Sequence, residues 1–479
     1  MKLNKEFRSK ESIPIFQYLA MITATLSIVS SGMHYGWPSP SLPQLQHVNS
    51  TIPITNGEGS WMAVMPLAGA TVGSIFGGLF LDTIGRKKTV LFTAVPFFAS
   101  WLMVAYARSV ALLIVARFVA GVADGLAFCA VPMYLGEIAN PEIRGFLGSG
   151  CSITWIFGML LINILGSYLS ISITAIISSV IPVILIVTFT WMPESPYYLI
   201  IKNRSEDAKK SLRIFKRTND VDDELRRLTT AVNEQNTNTG KFFDLFTVKS
   251  NRKAVLVMMG MRAVQQCSGT MAIAFYAHTI FENAGDDISS STATIIYFGV
   301  QLLLSTFSSI IVDRTGRRPL LILSIVGAAT ALFIEGSYFY IKLNHSELNV
   351  TRFSYIPIVA LIMYVVLFGI GLQAIPILLL GELFSTNVKA FALGLADIYF
   401  NIVATIVSKF FQVVKDNYGI HVPFFVFTGC CIIGLFFIIY CVPETKGKTL
   451  EEIQEELRGA PKRVESQQME TFRKIIVDA

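Results

Sequence analysis

Apolar runs of about twenty residues recur along most of this sequence. A helix needs roughly twenty apolar residues to cross the ~30 Å hydrocarbon core of a bilayer. The sequence contains twelve such runs, six before the hydrophilic stretch 193–252 and six after it. They lie near 14–36, 61–81, 88–108, 110–136, 146–168, 171–192, 254–281, 291–312, 319–341, 355–380, 388–413 and 421–442. The pattern predicts an all-α membrane protein with twelve transmembrane helices.

The distribution of charge supports this class and gives it an orientation. Only 15% of the residues are charged and 53% are hydrophobic, whereas soluble domains carry about 25% charged residues. The net charge of +6 would suggest a nucleic-acid partner in a soluble chain. However, 32 of the 39 Lys and Arg residues lie in the N-terminus, in alternate loops, in the 193–253 stretch and in the tail. This positive-inside pattern predicts a lipid environment, cytoplasmic termini and no nucleic-acid partner.

A short motif occurs once in each half of the chain. Asp82 is followed by Gly85-Arg86-Lys87-Lys88, and Asp313, 231 residues later, is followed by Gly316-Arg317-Arg318. Each copy ends an apolar run with a carboxylate, a glycine that permits a tight turn, and a group of cations. The repeat indicates a duplicated unit. We predict an N-terminal bundle at 1–192, a cytoplasmic helical linker at 193–252, a C-terminal bundle at 253–442 and a cytoplasmic tail at 443–479.

The cysteines and the asparagines give weaker signals. All six cysteines fall in apolar runs without metal-ligand spacing, so we expect buried thiols and neither a metal nor a cofactor. No nucleotide-binding loop and no nucleophile–base set is visible, which argues against a pump and against an enzyme. Three glycosylation sequons, at Asn49, Asn344 and Asn349, lie in loops that the charge pattern places outside the cell.

Five signatures in order resemble the sugar porter branch of the major facilitator superfamily, and the resemblance covers nearly the whole chain. Besides the paired loops, the signatures are Arg117 with Pro132-Met-Tyr134-Leu-Gly-Glu137 and Arg144, Pro193-Glu-Ser-Pro196, Gln265-Gln-Cys-Ser-Gly269 with Tyr276, and Pro443-Glu-Thr-Lys-Gly-Lys-Thr-Leu450. The opening stretch from Gly32 to Pro43 is similar to that of the insect trehalose-type members. The resemblance implies two six-helix bundles that alternate in access around one central solute site, in a protein that functions as a monomer in the plasma membrane.

The resemblance also implies a set of solute-binding residues. In the family the pair Gln265–Gln266 binds the sugar, and Tyr276, three turns further on, could close the outer side. Aligned without gaps, the other family positions become Ser152, Met271, Gln301, Ile377 and the pair Phe400–Asn401. We therefore expect binding by Gln265, Gln266, Gln301, Ser152, Tyr276 and Asn401. Several amides and two stacking indoles of the family are absent or displaced, so the scaffold is better defined than the substrate.

Two ionic networks at the cytoplasmic end are implied in the same way, and they should hold the inside closed and break when it opens. We expect Asp82, Arg86, Glu137 and Arg144 in the first network, and Asp313, Arg317, Glu382 and Lys389 in the second. Lys389 replaces the family's arginine. Because lysine cannot form the bidentate fork of arginine, the second network is expected to be weaker.

Ionisable residues inside the apolar runs raise the question of proton coupling. His34 stands where proton-coupled sugar porters carry aspartate and uniporters carry asparagine, so a proton-linked role is one hypothesis and a neutral hydrogen-bonding group is the other. Asp124 follows Arg117 by seven residues, about two turns along one helix face. We expect it to form a structural ion pair with Arg117 or to line a polar cavity, and a proton relay is the alternative.

Three functional classes follow. The first is facilitative transport of trehalose or of a hexose such as glucose, with a proton-coupled symporter as its variant. The second keeps the fold but moves another small solute, which the altered site would permit. The third is a nutrient sensor that does not transport, although the cytoplasmic tail is short for that role.

Overall fold

A computed structural model describes residues 14–140, 142–218, 220–237, 242–285, 288–344, 353–384, 386–446, 448 and 450–458. The described part is built from α-helices and contains no strand. Eleven helical segments within it are long and apolar enough to cross a membrane. The remaining predicted span, near 254–281, is present as two shorter helices that meet at Ser268 and Gly269. The prediction of an all-α membrane protein with twelve spans is therefore confirmed.

The N-terminal bundle comprises the first nine helices. They are α1 (Ile15–Ala24), α2 (Leu26–Gly36), α3 (Pro38–Gln46), α4 (Asn56–Ile84), α5 (Arg86–Ala105), α6 (Val110–Ile138), α7 (Arg144–Tyr168), α8 (Ile171–Ser178) and α9 (Val180–Phe189). The first three follow one another as a single bent span, and α8 and α9 form another. The short hairpin predicted between the third and fourth spans is present between Ala105 and Val110.

Four short helices form the connecting segment, as the sparse apolar residues of 193–252 predict. They are α10 (Pro196–Ile201), α11 (Ser205–Lys216), α12 (Asp222–Thr237) and α13 (Asp244–Thr247). Helix α11 is amphipathic and buries Ala208, Leu212 and Phe215. The Phe215 ring meets Tyr134 of α6 edge to face, so this segment packs onto the N-terminal bundle. Leu199, Ile200, Ala208 and Val232 form a small apolar cluster within the segment itself.

The C-terminal bundle comprises the next eight helices, and one further helix lies in the tail. They are α14 (Lys249–Cys267), α15 (Thr270–Ala284), α16 (Ser290–Thr315), α17 (Arg317–Asn344), α18 (Tyr355–Ile370), α19 (Ile375–Leu383), α20 (Thr386–Tyr418), α21 (His421–Cys441) and α22 (Leu450–Arg458). Helix α14 begins four residues before the predicted boundary at 253. The other boundaries stay predictions.

Glycines set the closest helix contacts of the N-terminal bundle. A Cβ atom at Gly73 of α4 would overlap the backbone carbonyl of Val122 in α6, and one at Gly125 of α6 would overlap that of Ala70 in α4. Only residues without a side chain allow two helix backbones to approach this closely. The contact fixes the rotation of α6 and thereby directs Asp124, beside Gly125, toward the middle of the protein.

The two ends of the bundles differ in how they are joined. We call the end that carries Arg86, Glu137, Arg317 and Glu382 the basic end, and the other the opposite end. Both described hydrogen bonds between the two bundles lie at the opposite end. There Lys409 Nζ donates to Ser60 Oγ at 2.6 Å and lies 3.9 Å from the Trp61 ring centre. The bundles are thus joined at the opposite end, where the exposed Asn49 and Asn344 also lie. Asn349 lies outside the described residues.

Candidate functional site

A cavity of about 180 Å³ lies between the bundles near the middle of the spans. Five of the six predicted solute-binding residues line it: Ser152, Gln265, Gln266, Gln301 and Asn401. Met271, Ile377 and Phe400, which the alignment places at family site positions, line it as well. The sequence therefore predicted which positions face the cavity, and their roles in binding stay predictions.

Tyr276 does not line this cavity. Its ring stacks on Phe411 of α20 at a centroid distance of 5.4 Å. The prediction assumed one continuous helix from Gln265 to Tyr276, but the chain breaks at Gly269, which adopts a left-handed φ of +84°. The break redirects α15, and Tyr276 lies outside the cavity, toward the opposite end, beside the Phe411 ring. Its role in closing the outer side stays a prediction.

The adjacent glutamines have different surroundings. Gln265 accepts a hydrogen bond from Arg262 Nη1 at 3.0 Å and donates to the carbonyls of Leu372 at 3.0 Å and Gln373 at 3.4 Å, in the turn between α18 and α19. Gln266 is fully buried, and neither atom of its amide finds a partner among the described residues. Because an unpaired buried amide is costly, Gln266 is the amide in this pair that is available to a solute.

Three charged residues also line the cavity: Asp124, Arg262 and Asp397. Arg262 Nη2 lies 3.8 Å from Asp397 Oδ1, and both belong to the C-terminal bundle. Sequence reasoning did not place Arg262 in the site. Its position inside an apolar run, three residues before Gln265, was the available signal, because a charge in a span usually faces a cavity or a partner.

The predicted ion pair between Arg117 and Asp124 is absent from the described part of the chain. Arg117 instead donates to the carbonyls of His34 at 2.5 Å and Met62 at 3.2 Å, and it lies over the Trp37 ring. Asp124 accepts hydrogen bonds from Ser31 Oγ and from Tyr35 Oη, the latter at 3.0 Å. Seven residues span about 10 Å along a helix, so the two side chains reach different neighbours. The alternative expectation, that Asp124 lines a polar cavity, agrees with the structure.

His34 lies outside the cavity, in an aromatic layer. Its imidazole stacks on Trp101 at 3.8 Å and on Phe97 at 5.7 Å between ring centres. Neither ring nitrogen has a hydrogen-bond partner among the described residues. The proton-linked role of His34 stays a hypothesis.

The N-terminal cluster at the basic end consists of Arg86, Glu137, Glu194 and Ser195. Arg86 Nε lies 3.0 and 3.1 Å from the two oxygens of Glu137, and its Nη2 lies 2.9 Å from Oε1. Ser195 donates its hydroxyl to Glu137. Glu194 accepts the backbone N–H of Lys87 at 3.0 Å, at the first turn of α5. Because Gly85, at φ +98°, precedes that helix without a capping side chain, the Glu194 carboxylate provides the cap.

The C-terminal cluster repeats this arrangement with Arg317, Glu382, Glu444 and Thr445. Arg317 Nη2 lies 2.9 Å from Glu382 Oε1, and Thr445 donates its hydroxyl to Glu382. Glu444 accepts the backbone N–H groups of Arg317 at 3.1 Å and Arg318 at 2.9 Å, at the first turn of α17. Hydrogen bonds from these N–H groups and from those of Lys446 and Thr445 outweigh the opposing effect of burial and lower the pKa of Glu444.

Four of the predicted network residues have other surroundings. Asp82 is exposed and makes no ion pair in the described part, and the Asp313 side chain lies outside the described residues. Arg144 is exposed and not paired with Glu137, whose oxygens are taken by Arg86 and Ser195. Lys389 donates to the carbonyl of Gly381 at 3.2 Å. Each cluster joins one bundle to the segment that follows it in the chain, and none of its described contacts links the two bundles.

Sequence reasoning missed the two carboxylates that cap α5 and α17. Glu194 and Glu444 belong to the signatures Pro193-Glu194-Ser195 and Pro443-Glu444-Thr445, which the sequence analysis treated as family markers only. The tripeptide Pro-Glu-[Ser/Thr] follows the last span of each half. Its recurrence was a signal that it belongs with the repeated Gly-Arg loops.

Two bundles around a polar cavity, with matched clusters at one end, define the class of membrane porters. Comparison with known proteins agrees. Residues 19–457 match the family described as sugar (and other) transporter. The chain is 38% identical over 452 residues to the facilitated trehalose transporter Tret1 of Bombyx mori, covering 94% of this chain and 88% of the relative. It is 35% identical to the Tret1 of Polypedilum vanderplanki, covering 95% and 91%.

Solved structures show the same fold. The inward open conformation of the xylose transporter XylE from E. coli superposes with a TM-score of 0.76 at 22% identity, over 91% of this chain and 99% of that one. XylE bound to 6-bromo-6-deoxy-D-glucose gives a TM-score of 0.73, also at 22% identity, over 92% and 99%. The chain therefore belongs to the sugar (and other) transporter family.

Proposed function

We propose that this protein carries a sugar, trehalose or a hexose such as glucose, across the plasma membrane by alternating access. The observation that carries the proposal is the cavity between the bundles, where the buried amide of Gln266 has no described partner. Hydroxyls of a sugar would satisfy this amide, and the rings of Tyr35, Trp155 and Phe400 offer surfaces to its C–H faces. The names of the trehalose-transporting relatives support the substrate class.

The contacts between the bundles support one orientation and one state. We infer that the basic end faces the cytoplasm, because cations gather at the cytoplasmic side of membrane proteins. Since the described hydrogen bonds between bundles lie at the opposite end, this conformation faces inward. Transport would then require the contact between Lys409, Ser60 and Trp61 to open and the basic end to close. A single chain holds the whole pathway, so the proposed unit is a monomer.

Uptake of labelled trehalose, glucose and fructose into oocytes that express the protein tests this proposal. We expect saturable uptake of at least one of these sugars and an equal rate at two pH values. Gln266→Ala should raise KM strongly, whereas Gln412→Ala, which removes a buried glutamine outside the cavity, should leave KM unchanged. No uptake of any sugar despite surface expression would reject the proposal, and uptake that rises at acidic pH would favour the proton-coupled variant.

A further inference from the structure

Asp124 is a buried carboxylate in the wall of the solute cavity. Its side chain projects from α6 in the N-terminal bundle and is 6% exposed. The close packing of Gly125 against α4 prevents α6 from turning this residue away from the cavity. An ionisable group within a transmembrane span is costly and usually marks the path of a solute or an ion. The position of Asp124 therefore calls for a functional explanation.

The groups around Asp124 supply hydroxyls but no cation. Ser31 and Tyr35 of α2 donate to its two oxygens. Across the cavity, Asp397 of α20 adds a like charge, and Arg262 of α14 is directed to Asp397 and to Gln265. Arg117, on the same helix as Asp124, is directed to two backbone carbonyls. Among the described residues, no basic side chain pairs with Asp124, and its hydroxyl partners leave acceptor capacity unused.

A second, independent feature of the cavity also indicates a ligand. The Gln266 amide is fully buried and has no hydrogen-bond partner among the described residues. It belongs to the C-terminal bundle and faces the same space as Asp124. A solute in this space would therefore meet an amide from one bundle and a carboxylate from the other. Such a solute must offer a hydrogen-bond donor to the carboxylate and a donor or an acceptor to the amide.

We propose that Asp124 is a solute-binding residue that accepts hydrogen bonds from donor groups of the solute. The proposal rests on the function proposed above and names a residue of that same site. The donor is a hydroxyl of a neutral sugar or the ammonium of an amino sugar. It uses the acceptor positions of the carboxylate that Ser31 and Tyr35 leave free. Charge-assisted hydrogen bonds are about twice as strong as neutral ones, so one carboxylate can replace amides that the family carries elsewhere.

Asp124→Asn tests the proposal, since it keeps the shape of the side chain and removes the charge. Uptake and equilibrium exchange of labelled glucose, trehalose and glucosamine are measured in oocytes and normalised to surface expression. We expect Asp124→Asn to raise KM in both assays by about tenfold or more. Glu335→Gln is the matched control. Glu335 is a fully buried carboxylate of α17, and no residue of α17 lines the cavity. It should leave KM unchanged.

The solute panel separates the two kinds of donor. If the donor is an ammonium, wild type prefers glucosamine to glucose and Asp124→Asn loses that preference. If the donor is a hydroxyl, Asp124→Asn lowers the affinity for glucose and for glucosamine equally. A thermal shift of the purified protein with each sugar gives a second readout that does not depend on transport rate, and the shift should be smaller in Asp124→Asn.

Two results would overturn the assignment of Asp124 while leaving the proposed function intact. In the first, wild type transports sugar and Asp124→Asn has the same KM and the same thermal shift. In the second, Asp124→Asn keeps exchange with an unchanged KM and loses only pH-dependent net uptake, which would make Asp124 a proton acceptor. If wild type neither transports nor binds any of these sugars, the proposed function fails and the assignment fails with it.

Discussion

The two clusters at the basic end have the same design but differ in how deeply they are buried. In the N-terminal cluster the Arg86 and Glu137 side chains are 2% and 11% exposed, and Arg86 reaches both carboxylate oxygens. In the C-terminal cluster Arg317 and Glu382 are 11% and 22% exposed, and the described contact joins Nη2 to Oε1. In each cluster a hydroxyl donates to the glutamate that pairs with the arginine. A second glutamate caps the helix that begins at that arginine.

This difference indicates how the pseudo-symmetric halves can contribute unequally. A paired charge that is shielded from water loses more when its partner is removed, because the remaining charge stays buried. An exposed pair is screened by solvent, and its loss costs less. We infer that the N-terminal cluster is the more rigid of the two and that conformational change at the basic end involves the C-terminal cluster first.

The largest effect is expected from removing each arginine in turn. Arg86→Gln leaves Glu137 buried without a cation and should cost about 3–5 kcal/mol of stability. Arg317→Gln should cost roughly 1–3 kcal/mol, because Glu382 is closer to solvent. Thermal unfolding of the purified variants measures the difference. In both variants, uptake per surface molecule should fall more than solute binding does. Equal unfolding losses, or a larger loss in Arg317→Gln, would contradict the comparison.

Removing the hydroxyl donors probes the same difference at smaller amplitude. Ser195→Ala and Thr445→Val each take one hydrogen bond from a glutamate that is already paired with arginine. We expect about 1–2 kcal/mol for Ser195→Ala and about 1 kcal/mol or less for Thr445→Val, since water can replace the donor more easily in the exposed cluster. Thermal unfolding again provides the measurement, and Ser149→Ala, at a partly exposed position, serves as the control.

The helix-capping glutamate of the C-terminal cluster adds a pH dependence of predictable sign. The folded pKa of Glu444 lies below its ordinary value of 4.5, so the unfolded chain binds more protons in that range. The stability that Glu444 contributes is present above pH ~4.5 and is lost as the pH falls through the folded pKa. Glu444→Gln should cost about 0.5–2 kcal/mol at neutral pH and reduce the loss of stability on acidification. An unchanged acid profile in Glu444→Gln would contradict this account.

The sequence predicted the fold well because the length of an apolar run decides whether a helix can cross a bilayer. It also predicted that Arg86 and Glu137 belong together and that Ser152, Gln265, Gln266, Gln301 and Asn401 face one cavity. It failed where a contact depends on how two helices are rotated. The helical face shared by Arg117 and Asp124 did not reveal that each residue finds a different partner.

The different surroundings of Gln265 and Gln266 were also beyond the sequence. They depend on the turn between α18 and α19, whose carbonyls accept hydrogen bonds from one amide and not from the other. No local pattern around the two glutamines contains this information, because the turn lies about a hundred residues away along the chain.

The smallest effect is expected from Lys389→Arg, which tests whether a further cation strengthens the C-terminal cluster. Lys389 is half-buried near Arg144, and burial followed by that like charge lowers its pKa. An arginine would offer a planar fork of donors and could bond both the Gly381 carbonyl and Glu382. We expect a change in stability within about 1 kcal/mol and a lower maximal uptake rate with an unchanged KM, because a tighter C-terminal cluster would rearrange more slowly.

Lys88→Arg, at an exposed lysine of the N-terminal half, controls for the substitution itself. A changed KM in Lys389→Arg would show that this position acts on solute binding, and a faster rate would show that the C-terminal cluster does not restrain the conformational change.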